Sequence, residues 1–574
     1  MERKSGMVLS RLSANQRRLL ISLSVALLAG AIYYWLATFE PMTRTVFIEE
    51  YHTGEAGRAA YLFGEFRGEG DTWQSVYFSP LASLLSWASF SLLGFGHFAL
   101  RAPFVLLSTI AVGVFALVVM KRAAGDKLII ASAVGAFLSS PFLLELRATS
   151  VNETLYLPIF TLMLWLASRF DEAASARQRL ATLFALGVVS SLGFFVKTDG
   201  AILLAASGLV IASKTVFPRP DFAAAGAFAA GAGLGLASYF ILMIAAFGLA
   251  TYLDGVRHAV AIMSAYSGAP DSIGEGFIRA LRQAAKNFDI YFPLISAVIA
   301  PVLTLGVLMW RSLSTAGKIS WVLLLLFILS LPVLPLIYWK RFVLASAAAL
   351  YLCFDLVAAH RQEGFARIGR VALIISAIVS VAAWAFAFSS EFNGMWRVDS
   401  FWRFENGWLR FAAASALGGC FVFLLARAPL KTTRAAFLLI CAATALAGAK
   451  VMGSAHARDA YAVGKRIADV VGDGTVVADH NAFRFAGYFS KARYSFVHEN
   501  DIGFPDTIIE RAKEQNPDFV VVTNTYKKLE KLVRKNLPCY TKVAKEVYVH
   551  EPDLFSRRNV RHQIVVFQKT ACTP

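Results

Sequence analysis

Apolar stretches of membrane-crossing length alternate with short charged connectors through the first 450 or so positions, and beyond Lys450 the pattern breaks into short soluble-type segments. A helix crossing a hydrocarbon core of about 30 Å needs roughly 20 apolar residues. Residues 19–39 meet that length, and further runs at 101–120, 128–145, 153–168, 180–195, 200–213, 222–249, 291–310, 319–338, 342–359, 371–388, 410–426 and 435–449 bring the predicted spans to about thirteen. Residues 77–94 are also apolar, but a crossing there would put Lys121 and Arg122 on the wrong side. They are therefore read as an interfacial or re-entrant helix of a long first outer loop, 40–100.

After residue 450 the periodicity predicts strands at 474–479, 518–523, 541–549 and 563–568 and helices at 457–471, 507–515 and 527–535. The predicted fold class is a polytopic α-helical membrane protein with about 13 transmembrane helices in residues 1–450 and a small C-terminal extracytoplasmic α/β domain in residues 451–574.

Charge sets the orientation. Of 574 residues 57% are hydrophobic and only 16% are charged, and the net charge of +18 is concentrated in alternate connectors. Lys121-Arg122 with Lys127, Arg169 with Arg177 and Arg179, Lys214 with Arg219, Arg311 with Lys318, Arg361 with Arg367 and Arg370, and Arg427 with Lys431 and Arg434 mark the cytoplasmic side. An odd number of spans from a cytoplasmic start puts the C-terminal domain outside. The basic residues 1–18 are followed by an apolar run longer than a signal-peptide core, with no small-residue cleavage pattern, so the first helix is read as retained. The basic excess suits anionic lipid headgroups, and no arginine-rich, aromatic-interleaved surface points to nucleic acid. Five cysteines are too few for a disulfide framework. Cys353, Cys420 and Cys441 fall in spans as small apolar fillers, whereas Cys539 and Cys572 lie near strand ends of the outer domain, where a disulfide between them is expected.

The candidate chemistry follows the first span. Glu49, Glu50, His52, Glu55 and Arg58 place carboxylates, an imidazole and a cation at the outer membrane boundary, and a helix from His52 onward would set His52, Glu55 and Arg58 along one broad face. Arg147, Lys197 and the pair Lys340-Arg341 are exceptions to the positive-inside pattern, because each sits at an outer membrane edge. Taken singly, such cations anchor to lipid or snorkel. Together with Arg58, on the side that carries the acids, they suit a shared anionic ligand, with a lipid-linked phosphate the obvious candidate.

Bland readings stand beside these. Glu55 and Glu153 could each be first-turn acids favoured by the helix dipole. His52 is read as a hydrogen-bond partner, since no neighbouring His or Cys gives zinc spacing. Asp479 and His480 carry no nucleophile motif and are read as loop residues, as are Asp254, Arg257 and His258.

Several of these stretches resemble one superfamily. The acidic first outer loop, the interfacial segment ending Leu93-Gly94-Phe95-Gly96 before Arg101, the third span ending Arg147-Ala148-Thr149-Ser150-Val151-Asn152-Glu153, the stretch Leu192-Gly193-Phe194-Phe195-Val196-Lys197-Thr198-Asp199-Gly200, and Lys340-Arg341-Phe342-Val343-Leu344 resemble, in order and sidedness, the GT-C glycosyltransferases. Within that superfamily the chain is similar to the bacterial lipid A aminoarabinose transferase and protein O-mannosyltransferase families. The resemblance implies transfer of a sugar from a polyprenyl-phosphate donor to a lipid, glycan or protein acceptor on the outer face of the inner membrane, with inversion. It needs no nucleotide and leaves a divalent metal open. In this reading Glu55, Glu50 and Glu153 are the candidate bases, and His52, Arg58, Arg147, Asn152, Lys197, Lys340 and Arg341 bind substrate.

Two positions depart from the superfamily pattern: its first-loop Asp-Glu pair reads Gly54-Glu55 here, and a second acidic position reads Asn152 with Glu153 adjacent. A non-catalytic membrane assembly protein derived from a transferase therefore stays open. So does a lipid or glycan transporter, although its expected repeated halves and midplane charges contrast with charges gathered at one surface.

Overall fold

The computed structural model describes residues 13–39, 50–66, 80–140 and 143–216 apart from isolated positions, 220–267, 300–330, 342–363, scattered positions of 434–446, 459–497, 503–523, 529–550 and 560–570. The helical part contains α1 (Ala14–Phe39), α2 (Glu50–Phe63), α3 (Pro80–Leu93), α4 (His97–Arg122), α5 (Lys127–Leu138), α6 (Asn152–Asp171) and α7 (Ala176–Ser191). It continues through the short α8 (Gly193–Val196), α9 (Ala201–Thr215), α10 (Phe222–Phe247), α11 (Leu249–Ser267), α12 (Ala300–Leu308), α13 (Thr315–Ser330) and α14 (Phe342–Glu363). Four described helices, within 19–38, 97–122, 176–196 and 222–247, are long and apolar enough to cross a membrane. The predicted spans 371–388 and 410–426 lie outside the described residues, as do 291–299 of the span 291–310, 331–338 of the span 319–338 and scattered positions of 435–449.

Local chemistry sets several helix starts. Asp126, Ser175 and Asp221 cap α5, α7 and α10 by accepting hydrogen bonds from the amides of Ile129, Gln178 and Ala224, which satisfies amides that have no partner within the helix. At the centre, α6 is buried over most of its length and packs on α4, α7, α13 and α14. The α7–α10 pair depends on small residues. A Cβ on Gly187 would lie 2.3 Å from Phe228 O, and one on Gly231 2.0 Å from Phe184 O, so the two backbones touch. Large apolar side chains such as Leu27, Leu28, Leu106, Leu209, Leu234 and Ile241 stay exposed, as a lipid-facing surface requires.

Polar cross-links fix one end of this bundle. Arg122 at the end of α4 pairs with Asp355 of α14 at 2.7 Å, and Lys214 of α9 pairs with Asp171 of α6 at 2.9 Å. Asp355 and Asp171 also accept the amides of Ser314 and Thr315 at the start of α13. This is the end that the positive-inside pattern assigns to the cytoplasm. The starts of α4 and α6 and the turn after α8 therefore sit at the opposite end.

The C-terminal part consists of α15 (Asp459–Val471), β1 (Thr475–Asp479), α16 (His480–Ala486), β2 (Arg493–Val497), α17 (Asp506–Gln515), β3 (Phe519–Thr523), α18 (Leu529–Asn536), β4 (Tyr540–His550) and β5 (Val560–Lys569). The sheet order is β2-β1-β3-β5-β4, with β1 parallel to β2 and β3, and β5 antiparallel to β3 and β4. The four expected strands and three expected helices are present. The sequence reading missed β2 and α16, which makes the expected loop around His480 a helix. Its assignment of Asp254, Arg257 and His258 to a loop is likewise corrected, since all three lie in α11, where Asp254 and Arg257 form an exposed pair at 3.2 Å. Cys539 is disulfide-bonded. Cys572 lies outside the described residues, and Thr570 donates both its amide and its hydroxyl to Cys539 O.

One face of the sheet forms a core with the helical part. Val476, Phe483, Phe496, Val521, Tyr548 and Ile564 cluster with Phe90 of α3 and with Ala99 and Leu100 of α4. The sheet therefore packs against the end of the bundle opposite the Arg122–Asp355 pair.

Candidate active site at the sheet-bearing end of the bundle

Helix α2 carries Glu55 and Arg58 and lies between α3 and α16. Its glycines set that position. A Cβ on Gly54 would fall 2.5 Å from Leu100 Cδ1 and 2.7 Å from the Tyr488 hydroxyl, and one on Gly57 would fall 2.3 Å from Ser83 O. The helix is thus pressed against α3, α4 and the C-terminal part at once. Any side chain at position 54 would require Leu100 or Tyr488 to shift.

Charged side chains are buried at this end to a degree unusual for an apolar bundle. Glu55 and Glu153 are each 1% exposed, Arg58 and Arg101 0%, Arg147 1%, Asn152 3% and Lys197 5%. Ionised groups inside a membrane protein are costly unless paired, and are functional by default. Arg147 donates to Leu144 O in the irregular segment before α6, where the Thr149 and Thr154 hydroxyls donate to Leu146 O and Val151 O at 2.6 and 2.7 Å. Asn152 and Glu153 then begin α6 itself.

Lys197 owes its position to a pair of facing glycines. Helix α8 stops at Lys197, whose backbone is extended (φ −174°, ψ 156°), and a single 3-10 turn over Thr198–Gly200 leads into α9. A Cβ on Gly193 would lie 2.4 Å from Gly200 O, and one on Gly200 2.1 Å from Gly193 O. This is why the stretch reads Gly, three residues, Lys, two residues, Gly: the two backbones touch, and the loop they close carries Lys197 and Asp199. Apolar rings lie alongside. Phe194 and Phe195 pack on Tyr239 of α10 at ring separations of 6.1 and 5.5 Å, next to Tyr252 and Val256 of α11.

Arg58, expected to bind phosphate, is engaged by the C-terminal part. Its Nε donates to Gly487 O at 2.6 Å and its Nη2 donates to Ser490 O and Ala492 O at 2.8 and 2.7 Å. The guanidinium also lies 5.4–5.8 Å from the ring centres of Phe63, Phe95, Phe483 and Tyr494. It fastens α2 to the C-terminal part.

The side chains of Glu50 and His52, and both Lys340 and Arg341, lie outside the described residues, although the backbone of α2 does begin at Glu50 as a helix through His52 requires. Three further buried or partly buried residues have no role in the sequence-based site, although Asp479 is read there as a loop residue. Arg101 is fully buried one turn into α4, and its place at the outer end of a predicted span was the available signal. Asp199 accepts a hydrogen bond from Tyr156, and its place two residues from Lys197 was legible. Asp479 accepts the amides of Asn481, Ala482 and Thr523 at 2.9, 3.0 and 2.5 Å. Burial nevertheless raises its carboxyl to about 6, and it acts as a tie between β1, β3 and α16. Among the described residues no group of three His, Cys, Asp or Glu is arranged to hold a metal ion.

An apolar helical bundle thus carries buried charge at one end, with α2 and the C-terminal sheet packed on that end. The fold is similar to that of ArnT from Cupriavidus metallidurans bound to undecaprenyl phosphate, with a TM-score of 0.51 and 14% sequence identity over 96% of this chain and 98% of that one. The apo state of ArnT from the same organism gives a TM-score of 0.47 at 16% identity, again over 96% of this chain and 98% of that one. No protein-family model matches the chain, and no curated protein matches it in sequence.

Proposed function

We propose that the protein is a membrane glycosyltransferase that moves a sugar from a polyprenyl-phosphate donor to a lipid, glycan or protein acceptor at the outer face of a bacterial inner membrane. The observation that carries this reading is the burial of Glu55, Glu153, Arg147 and Lys197 at one end of the bundle. The fold shared with ArnT, seen with undecaprenyl phosphate bound, supports a lipid phosphate as the anion those cations meet. The aromatic surface beside Lys197 suits a prenyl chain.

In the reaction, the acceptor oxygen attacks the anomeric carbon as the bond from that carbon to the phosphate oxygen breaks. The acceptor proton passes to Glu55, and the polyprenyl phosphate leaves with the bonding electrons. Glu50 and Glu153 are the alternate bases. Lys197, Arg147, Lys340 and Arg341 stabilise the phosphate, and His52 and Asn152 contact substrate. Arg58 acts indirectly, by holding the helix that carries Glu55. The accompanying topology has a cytoplasmic N-terminus, about thirteen spans in residues 1–450 and an extracytoplasmic domain in 451–574.

One observation favours a second reading. Position 54 is filled by packing against Leu100 and Tyr488, which is how a transferase fold that had lost its catalytic acid would look. Transfer by the purified protein from undecaprenyl-phosphate-linked sugars separates the two readings. A lost general base lowers rates by about 10²–10⁴, so Glu55→Gln should remove most transfer while the protein stays folded in the membrane. Unchanged transfer by that variant would refute Glu55 as the base, and no transfer by the parent protein with any such donor would favour the assembly reading.

A further inference from the structure

The loop that presents Lys197 also carries an acid to which the transfer reading assigns no task. Asp199 accepts a hydrogen bond from the Tyr156 hydroxyl, and Tyr156 lies on α6 one turn below Asn152 and Glu153. Asp199 is partly exposed, unlike Glu55 and Glu153, so a ligand can reach it. The loop does not need this acid for its own closure. The Lys197 amide donates to Gly193 O at 3.1 Å, the Gly200 amide donates to Lys197 O at 2.8 Å, and the facing glycines complete the turn. Tyr156 is itself 6% exposed within the central core, which fixes its hydroxyl and hence the carboxylate it holds.

An ionised carboxylate is acceptor-only and offers about four lone-pair sites. The hydrogen bond from Tyr156 orients it, and its partial exposure lets donor groups on a ligand reach it. The 3-10 turn rises only about 2 Å per residue, so Lys197 and Asp199 leave the chain less than about 7 Å apart. A reach of that order separates the phosphate of a glycosyl phosphate from the hydroxyls on the far side of its ring. We propose that Asp199, held by Tyr156, recognises the hydroxyl or amino groups of the sugar on the lipid phosphate, while Lys197 two residues away meets the phosphate. The loop from Gly193 to Gly200 then reads the glycosyl phosphate as one unit. This inference rests on the donor reading above and adds to it a residue that discriminates the sugar-bearing lipid from the spent one.

Direct binding to the full-length protein in lipid nanodiscs tests it, with two kinds of probe. One is undecaprenyl phosphate alone, and the other is undecaprenyl phosphate carrying glucose, mannose or an aminopentose. Hydrogen bonds to charged groups contribute enough that Asp199→Asn should raise the Kd of the sugar-bearing probe by about 10-fold or more. The Kd of undecaprenyl phosphate alone should move by less than about 2-fold under the same measure. Tyr156→Phe should shift the same quantity in the same direction by less, and Lys197→Gln should weaken both probes together. Equal weakening of both probes by Asp199→Asn, or no change in either, would overturn the proposal. A parent protein that binds undecaprenyl phosphate but none of the sugar-bearing forms would overturn it too. If the parent protein bound neither kind of probe, the donor reading itself would fall.

Discussion

Replacing Arg58 with methionine removes the fastening between the acidic loop helix and the C-terminal part while keeping most of the side-chain volume. Three carbonyl oxygens, at Gly487, Ser490 and Ala492, lose donors now 2.6, 2.8 and 2.7 Å away. They sit in a buried region where Ala492 is 0% and Ser490 3% exposed. Leaving one buried acceptor unsatisfied costs about 1–3 kcal/mol, so three would cost about 3–9 kcal/mol if they added. Part of that is offset, because the desolvation penalty of the guanidinium disappears with it. A net loss of about 3–5 kcal/mol is the expectation, the range seen when one partner of a buried charged contact is removed.

Such a loss is a large share of the total stability of an ordinary domain, about 5–15 kcal/mol. Hydrogen exchange read by mass spectrometry should therefore show faster opening of residues 483–494 and of α2, by two orders of magnitude or more, since about 1.4 kcal/mol is a factor of ten. Lysine should be intermediate, because one ammonium cannot reproduce the planar fork. Unchanged exchange in 483–494 together with weaker binding of undecaprenyl phosphate would refute the reasoning, and would return Arg58 to the phosphate-binding role.

Four further expectations follow from the packing. Gly54→Asp, the substitution that would recreate the superfamily pair, should lower thermal stability by about 1–3 kcal/mol through overpacking and should not raise transfer. Gly193→Ala or Gly200→Ala should cost at least as much on a thermal melt and should weaken lipid-phosphate binding, because either Cβ meets backbone at 2.1–2.4 Å. His97 lies 4.1 Å from the Phe489 ring centre with neither ring nitrogen hydrogen-bonded among the described residues, so His97→Phe should be neutral or stabilising by up to a few kcal/mol. Asp479, raised from 3.8 to about 6, binds its proton more tightly folded than unfolded. Its contribution to stability is therefore present below about pH 4 and is lost as pH rises to about 6, by about 3 kcal/mol in all. The stability of the parent relative to Asp479→Asn, measured by exchange of the β1 and β3 amides, should fall by about 2–3 kcal/mol between pH 4 and pH 7.

The helical half was legible because long apolar runs and the sidedness of Lys and Arg have one physical solution in a bilayer. A helix over 80–93 falls within the apolar segment 77–94 that the same pattern singles out. The interfacial clamp was not legible. Arg58 reads as a ligand cation when seen only beside Glu55 and His52, whereas the carbonyls it donates to lie more than 400 residues away in sequence. Likewise β2 lacks the run of consecutive valines that marks β1 and β3, its buried Tyr494 and Phe496 standing beside Arg493 and Ser495. Helix α16 was hidden because its cap, Asp479, takes its support from Thr523 on another strand. The Lys197 loop was partly legible: the glycines were noticed, but only their contact explains why both are needed.

The central claim is that the buried cations at the sheet-bearing end hold a lipid phosphate within reach of the acid on α2. A structure determined with undecaprenyl phosphate bound measures this directly. The phosphate should lie within hydrogen-bonding distance, about 3 Å, of Lys197, with Glu55 facing the same cavity and the prenyl chain along Phe194, Phe195 and Tyr239. A phosphate seated instead at the opposite end, against Arg122, Arg179 or Lys214, would contradict the account.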